Sequence, residues 1–319
     1  MLSAYRVASG RLEKMAPGEA LDEAVWIDLW RPLPAQVAAV QALGLLVPKR
    51  EDMEEIELSS RLYHEGGYDF MTVVLPGVTP DGEQVSGPVC FILGPARMVT
   101  VRFHAPRPFE TFPPRAEKTP VGCGGPDRLF LGLVDEVVGR LADHLETAGH
   151  GLDEVTRTAT DARAALRGPL LEAALARVGM EGERISRVRL ALLTIQRMLG
   201  FHALQLGDSK QDHTMKAMLK GLNRDVQALE VHADFLSARV GLATDTTLGM
   251  INLSQNATVR IVSVVAVLFL PPTLIASVYG MNFQFMPELA EAWGYPVALV
   301  LMFASAAGTW AYFKWRGWL

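Results

Sequence analysis

Between Arg260 and Glu288 the chain carries no charged residue. This run, IVSVVAVLFLPPTLIASVYGMNFQF at residues 261–285, limits what the chain can be, because about 20 predominantly apolar residues suffice for one helix to cross a bilayer. A second uncharged stretch follows and ends in the basic tail Lys314, Trp315, Arg316, Gly317, Trp318, Leu319. Two spans are therefore expected, at about residues 261–279 and 295–313, joined by the short segment GMNFQFMPELAEAWG. Positive charge collects on the cytoplasmic side of membrane-flanking segments. Arg260, Lys314 and Arg316 all fall on one side, whereas the loop holds only Glu288 and Glu291. The expected protein is multi-pass in an inner or plasma membrane, with both termini cytoplasmic and the lipid bilayer as a partner.

The first span is more than an anchor. Read at helical spacing, Asn256, Val259, Ser263, Ala266, Leu270, Thr273, Ser277 and Gly280 share one stripe. It is small or polar, whereas Ile261, Val264, Val265, Leu268 and Phe269 fall off it. Such stripes serve helix–helix packing in membranes, and equally the wall of a narrow water-filled pore. Pro271 and Pro272 lie mid-span, where backbone groups left without partners are costly in hydrocarbon.

The span ends in Tyr279, Gly280, Met281, Asn282, Phe283, and Met286, Pro287, Glu288, Leu289 follow in the outer loop. In this position, between two C-terminal spans, YGMNF followed by MPEL resembles the CorA family of magnesium transport proteins. Asn256 one turn before the span, the GYP at 294–296 and the terminal Trp318-Leu319 extend the resemblance, which is specific over about residues 245–319. The chain departs from the family pattern in three places. Pro271-Pro272 replaces Met-Pro, Gln284 replaces Glu, and Leu270, Val262 and Val259 stand where bulkier Met and Leu are usual.

Upstream, the sequence reads as a soluble part. Residues 1–8 hold no apolar core long enough for a signal peptide, so the N-terminal region is expected to stay in the cytosol. VWIDL at residues 25–29 is a compact strand, after which Pro32 and Pro34 open a helix to about Leu43. Residues 49–58 read as a charged helix. Residues 61–63, 68–75, 89–93 and 97–103 are β-rich, separated by Gly and Pro clusters that include the turn Pro80-Asp81-Gly82. The WIDL run also resembles the opening of CorA cytoplasmic domains. A proline- and glycine-rich linker at 106–125 then precedes long helices at about 127–167 and 169–206. A third begins near Ser209 or Asp212 and meets no proline before Pro271, so it is expected to run into the membrane without a joint. The expected fold is α+β: an N-terminal cytosolic α/β domain (residues 1–125), a long helical stalk region (126–258) continuing into the first of two C-terminal transmembrane helices, and a transmembrane domain (259–319).

Composition excludes several classes. The net charge is −5, and with Arg260 and the mutually cancelling loop and tail charges set aside, residues 1–259 carry −6. An acidic cytosolic part argues against nucleic acid and suits divalent cations. The seven histidines are scattered, with none at the i, i+4 spacing of a helical zinc site. Cys90 and Cys123 are far apart and read as free thiols. No nucleophile motif or cofactor loop is present, so the chain reads as a non-enzyme with no cofactor.

The resemblance implies a channel-like transporter of Mg²⁺, with Co²⁺ and Ni²⁺ as further substrates, built as a homopentamer; a single pore helix per chain requires some closed ring. It implies a selectivity filter at Gly280, Met281 and Asn282. There the Asn282 amide would accept hydrogen bonds from the first-shell water of a hydrated ion, which for Mg²⁺ is hard to strip. Thr273 and Ser277 would carry the ion inward, and Leu270, Val262 and Val259 would close the pore by dewetting. Glu288 is expected to form an outer acidic ring. The family also closes its pore when cytosolic Mg²⁺ bridges carboxylates. Asp225, Glu230, Asp234 and Asp245 lie on the stalk, and Asp245 is the one assigned to that regulatory metal. The alternatives are a zinc transporter of the same superfamily, which lacks the YGMNF form, and a non-conducting membrane-anchored scaffold or sensor.

Overall fold

The computed structural model describes residues 1–55, 57, 61–119, 122–161, 168–205, 213–281, 286–287 and 291–317. The strands are β1 (Leu2–Ala8), β2 (Arg11–Lys14), β3 (Trp26–Trp30), β4 (Leu62–Glu65), β5 (Tyr68–Val78), β6 (Gln84–Leu93) and β7 (Met98–Arg102). The helices are α1 (Pro34–Gln41), α2 (Arg50–Glu54), α3 (Pro108–Thr111), α4 (Pro126–Thr160), α5 (Gly168–Gln205), α6 (His213–Tyr279) and α7 (Gly294–Trp315). They form two compact units. One comprises Met1–Val155 with Ala176–Ala243, the other Thr156–Leu175 with Thr244–Leu319.

The first unit is built on a seven-stranded sheet in the order β2-β1-β3-β7-β6-β5-β4. β3 and β7 pair in parallel and the other neighbours are antiparallel, so the expected mixed sheet is found. Alternation along β3 sends Ile27 and Leu29 into a core with Val40 of α1 and Met53 of α2. Trp26 points the other way, into an aromatic cluster with Phe109 and Phe112, where Phe91 also meets Phe109 and Phe130 of α4. Both short helices begin as their sequences ask. Pro34 opens α1 and the Gln36 side chain accepts the Leu33 N–H at 3.0 Å, while Asp52 does the same for Lys49 in α2.

Asp28 lies on the aromatic side of the sheet and is buried. Its carboxylate accepts from Thr100 Oγ1 at 2.7 Å and from Arg102 Nη2 at 2.8 Å. The Arg102 guanidinium is itself buried between the rings of Trp30 and Phe109, and its Nη1 donates to the His104 carbonyl at 3.1 Å. The parallel register that sets Asp28 beside Thr100 and Trp30 beside Arg102 creates this network.

Several elements differ from expectation. The β1–β2 hairpin was not legible, because only Ala4 of its strands is buried and its apolar pattern is weak. β5 and β6 run longer than 68–75 and 89–93, passing through Gly77 and Gly87, which look like strand breakers. A Cβ at Gly77 would stand 2.8 Å from the Pro106 backbone nitrogen, and one at Gly87 would stand 2.8 Å from the His104 ring. These glycines admit the His104 imidazole, which is buried and bonded to the Leu75 carbonyl at 2.9 Å; burial lowers its pKa. Pro88 pairs only with β5, since the β7 partnership begins at Val89, so no ladder bond is lost there. α2 is shorter than the charged helix read at 49–58, of which residues 56 and 58 lie outside the described residues. Cys90 and Cys123 are free and buried, as read; burial pushes the Cys90 thiol up to about 11.

In the second unit α6 runs on through Pro271 and Pro272 to Tyr279, so the joint-free passage into the first apolar segment is found. Each proline lacks the N–H that would reach back one turn, which leaves the carbonyls of Val267 and Leu268 without their usual intrahelical donors. The predicted starts of this helix at Ser209 and Asp212 lie outside the described residues.

Candidate functional site

Among the described residues two helices, α6 and α7, are long and apolar enough to cross a membrane. Only 6% and 11% of their apolar windows are buried, which separates them from core helices of a soluble domain. Phe269, Leu274, Val300 and Phe303 are among the large apolar side chains left uncovered. Interfacial chemistry marks the end of α7: Lys314 Nζ sits 4.7 Å from the Trp310 ring centroid, and the Arg316 guanidinium 6.0 Å from that of Tyr312.

The membrane part of α6 has two faces. Val264 is buried, and Leu268, Pro271, Ile275 and Tyr279 are half-buried, all at helical spacing on one side. Asn256, Val259, Val262, Ser263, Ala266, Leu270, Thr273 and Ser277 lie on the opposite side and are all exposed. A single chain thus leaves its small and hydroxyl-bearing stripe uncovered. Lipid is a poor solvent for that stripe, and a ring of such helices would turn it inward.

The Thr273 hydroxyl donates to the Phe269 carbonyl at 2.7 Å. Its proton is therefore engaged and its lone pairs remain free to accept, which complements the outward-pointing O–H donors of water bound to a cation. α6 ends at Tyr279; Gly280 closes the last turn through its N–H to the Ala276 carbonyl at 2.9 Å, and Met281 is exposed. Asn282 and Glu288, expected as the filter amide and the outer ring, lie outside the described residues.

Asp245 is exposed on α6 in the second unit. The other stalk carboxylates belong to the first unit, and they divide. Asp234 is paired with Arg189 at 2.8 Å. Asp225 lines a cleft of about 690 Å³ with Asp135, Glu136 and Asp143, together with Arg107, Arg115 and Arg140. Burial, and then the charge of Asp225, raise the Asp135 pKa. Sequence reading named Asp225 without Asp135, which becomes its neighbour only when α4 and α6 pack. Among the described residues no three His, Cys, Asp or Glu side chains converge as a metal site.

A family model described as CorA-like Mg2+ transporter protein matches residues 22–315. The magnesium transport protein CorA of Escherichia coli is 32% identical over 326 residues, with all of both chains covered. That of Yersinia pseudotuberculosis is 31% identical over 324 residues, again over the whole of both chains. Among solved structures, the CorA magnesium transporter of Methanocaldococcus jannaschii shares the fold, with a TM-score of 0.66 at 16% identity, covering 100% of this chain and 99% of that one. The curated relatives are transport proteins and not enzymes, and with a family model matched over most of its length and full-length relatives above 30% identity, the chain belongs to the CorA-like Mg²⁺ transporter family.

Proposed function

We propose that this chain conducts Mg²⁺, and with it Co²⁺ and Ni²⁺, through a pore lined by the stripe from Asn256 to Gly280. One observation carries the reading: the small, hydroxyl-bearing face of the first span is exposed and lies opposite the covered face. In a chain of this family, that face counts against a non-conducting anchor. The zinc alternative is disfavoured by YGMNF and MPEL, which belong to the magnesium branch.

Mg²⁺ holds its water in octahedral geometry at about 2.0–2.1 Å and dehydrates reluctantly. A ring of Asn282 amides, with Gly280 and Met281 setting the mouth, would select the hydrated ion by accepting from its first-shell water. Glu288 would concentrate cations outside, and Thr273 and Ser277 would pass the hydrated ion inward. Closure of the ring requires several copies, and a homopentamer is the assembly the family resemblance implies. In this reading both termini are cytoplasmic, with residues 1–125 a cytosolic α/β domain, 126–258 a helical stalk region and 259–319 the transmembrane domain.

Leu270, Val262 and Val259 are the dry constrictions of this pore, 63–65% exposed in the single chain and therefore free to meet their copies. Cytosolic Mg²⁺ would hold the ring closed by bridging carboxylates, Asp245 among them, that otherwise repel; at about 4 Å that repulsion is about 4 kcal/mol per pair at an effective dielectric of 20. Two outcomes test the gate in patch recordings. Leu270→Ala is expected to leak at high internal Mg²⁺, and Asp245→Lys to prolong currents as internal Mg²⁺ rises. If both variants close like wild type, the gate is elsewhere.

A further inference from the structure

A second cavity of the first unit, about 400 Å³, shares no residue with the proposed pore lining. It opens where the β5–β6 hairpin and the segment after β7 meet α4 and α5. Four guanidiniums line it, from Arg107, Arg140, Arg184 and Arg187, together with the His144 imidazole; Glu110 is the single lining carboxylate. This is unexpected in a chain of net charge −5. In the neighbouring cleft, carboxylates outnumber arginines.

The arginines are only partly neutralised. Arg184 meets Glu181 at 2.7 Å, Arg187 meets Glu183, and Arg140 meets Asp143 at 3.2 Å. Each of these bonds engages a terminal nitrogen, and a guanidinium has five N–H donors. The Arg140 Nε–H is buried without an acceptor, and Arg107 has no ion-pair partner among the described residues. Burial, followed by the charges of Arg140 and Arg184, lowers the His144 pKa, against an opposing pull from Asp143.

We propose that this cavity binds a small phosphate-bearing anion, with Arg107, Arg140, Arg184 and Arg187 donating to its oxygens. Clustered guanidiniums suit phosphate because several forks can donate to one tetrahedral, multiply charged group. The volume exceeds one phosphate and accommodates linked phosphates or a phosphate ester, with Val85 and Val188 offering apolar wall to the remainder. An occupant would tie the β5–β6 hairpin to α4 and α5 and stabilise the unit by mass action. The proposal stands independently of the conduction pathway.

The test is calorimetric titration of the purified full-length protein in chelator, at constant ionic strength, with inorganic phosphate, pyrophosphate and ATP. Saturable binding is expected, weakened on the order of tenfold or more by Arg107→Glu, since charge-assisted bonds are each worth about 1.5–3 kcal/mol. Arg107→Lys should retain most of the affinity, and Arg157→Ala, at an exposed residue that does not line the cavity, all of it. Equal affinity for phosphate and pyrophosphate would assign a free phosphate, and tighter ATP binding a nucleotide. If none of the three binds at millimolar concentration, or if binding survives Arg107→Glu unchanged, the proposal is overturned.

Discussion

Arg102→Met is expected to destabilise the first unit by about 3–5 kcal/mol, because it strands the Asp28 carboxylate in the core. The carboxylate would keep only Thr100 Oγ1 as a donor, at 2.7 Å, and would lose every Arg102 bond at 2.8–3.2 Å. The Arg102 side chain also fills the gap between Trp30 and Phe109, so methionine was chosen to keep volume while removing charge. A buried pair is weak evidence of net stability, whereas half of one is strongly destabilising. Asp28→Leu combined with Arg102→Met should therefore recover most of the loss. Thermal or denaturant unfolding of the purified protein measures both, and a single-variant loss below about 1 kcal/mol would show that water reaches the site.

Asn282→Ala is expected to abolish Mg²⁺ uptake in cells that lack their own magnesium transporter, with assembly and membrane insertion unchanged. In the proposed pore the amide contacts only water held by the ion, so its removal deletes a recognition group from every subunit at once. Asn282→Gln keeps the amide but moves it by one methylene, and should restore uptake in part. Uptake by the alanine variant equal to wild type would remove Asn282 from selection.

The membrane elements were legible in the sequence because they are local. An uncharged run of sufficient length marks a span wherever it occurs, and the 3.6-residue period of the stripe holds across Pro271 and Pro272, since α6 does not break there. The long stalk was legible for the same reason. The sheet was legible except at its β1–β2 edge: WIDLW announces β3, but the β1–β2 hairpin buries too little to show a period. Gly77 and Gly87 read as strand ends because their reason, the His104 ring, is far along the chain. Partnerships such as Asp28 with Arg102, Asp135 with Asp225, and the four arginines around one cavity depend on strand register or helix packing. No local pattern encodes them.

The central claim, a water-filled pathway along one face of α6, is tested most directly by single cysteines in reconstituted vesicles loaded with a Mg²⁺ indicator. The native background is favourable, since Cys90 and Cys123 are buried and burial raises both thiol pKa values, which suppresses the reactive thiolate. A small charged thiol reagent should block Mg²⁺ flux through Thr273→Cys and Ser277→Cys, which lie on the stripe, and leave Val265→Cys, off the stripe, conducting. Flux that the reagent leaves untouched in the two stripe variants, or that it blocks only in Val265→Cys, would contradict the pathway.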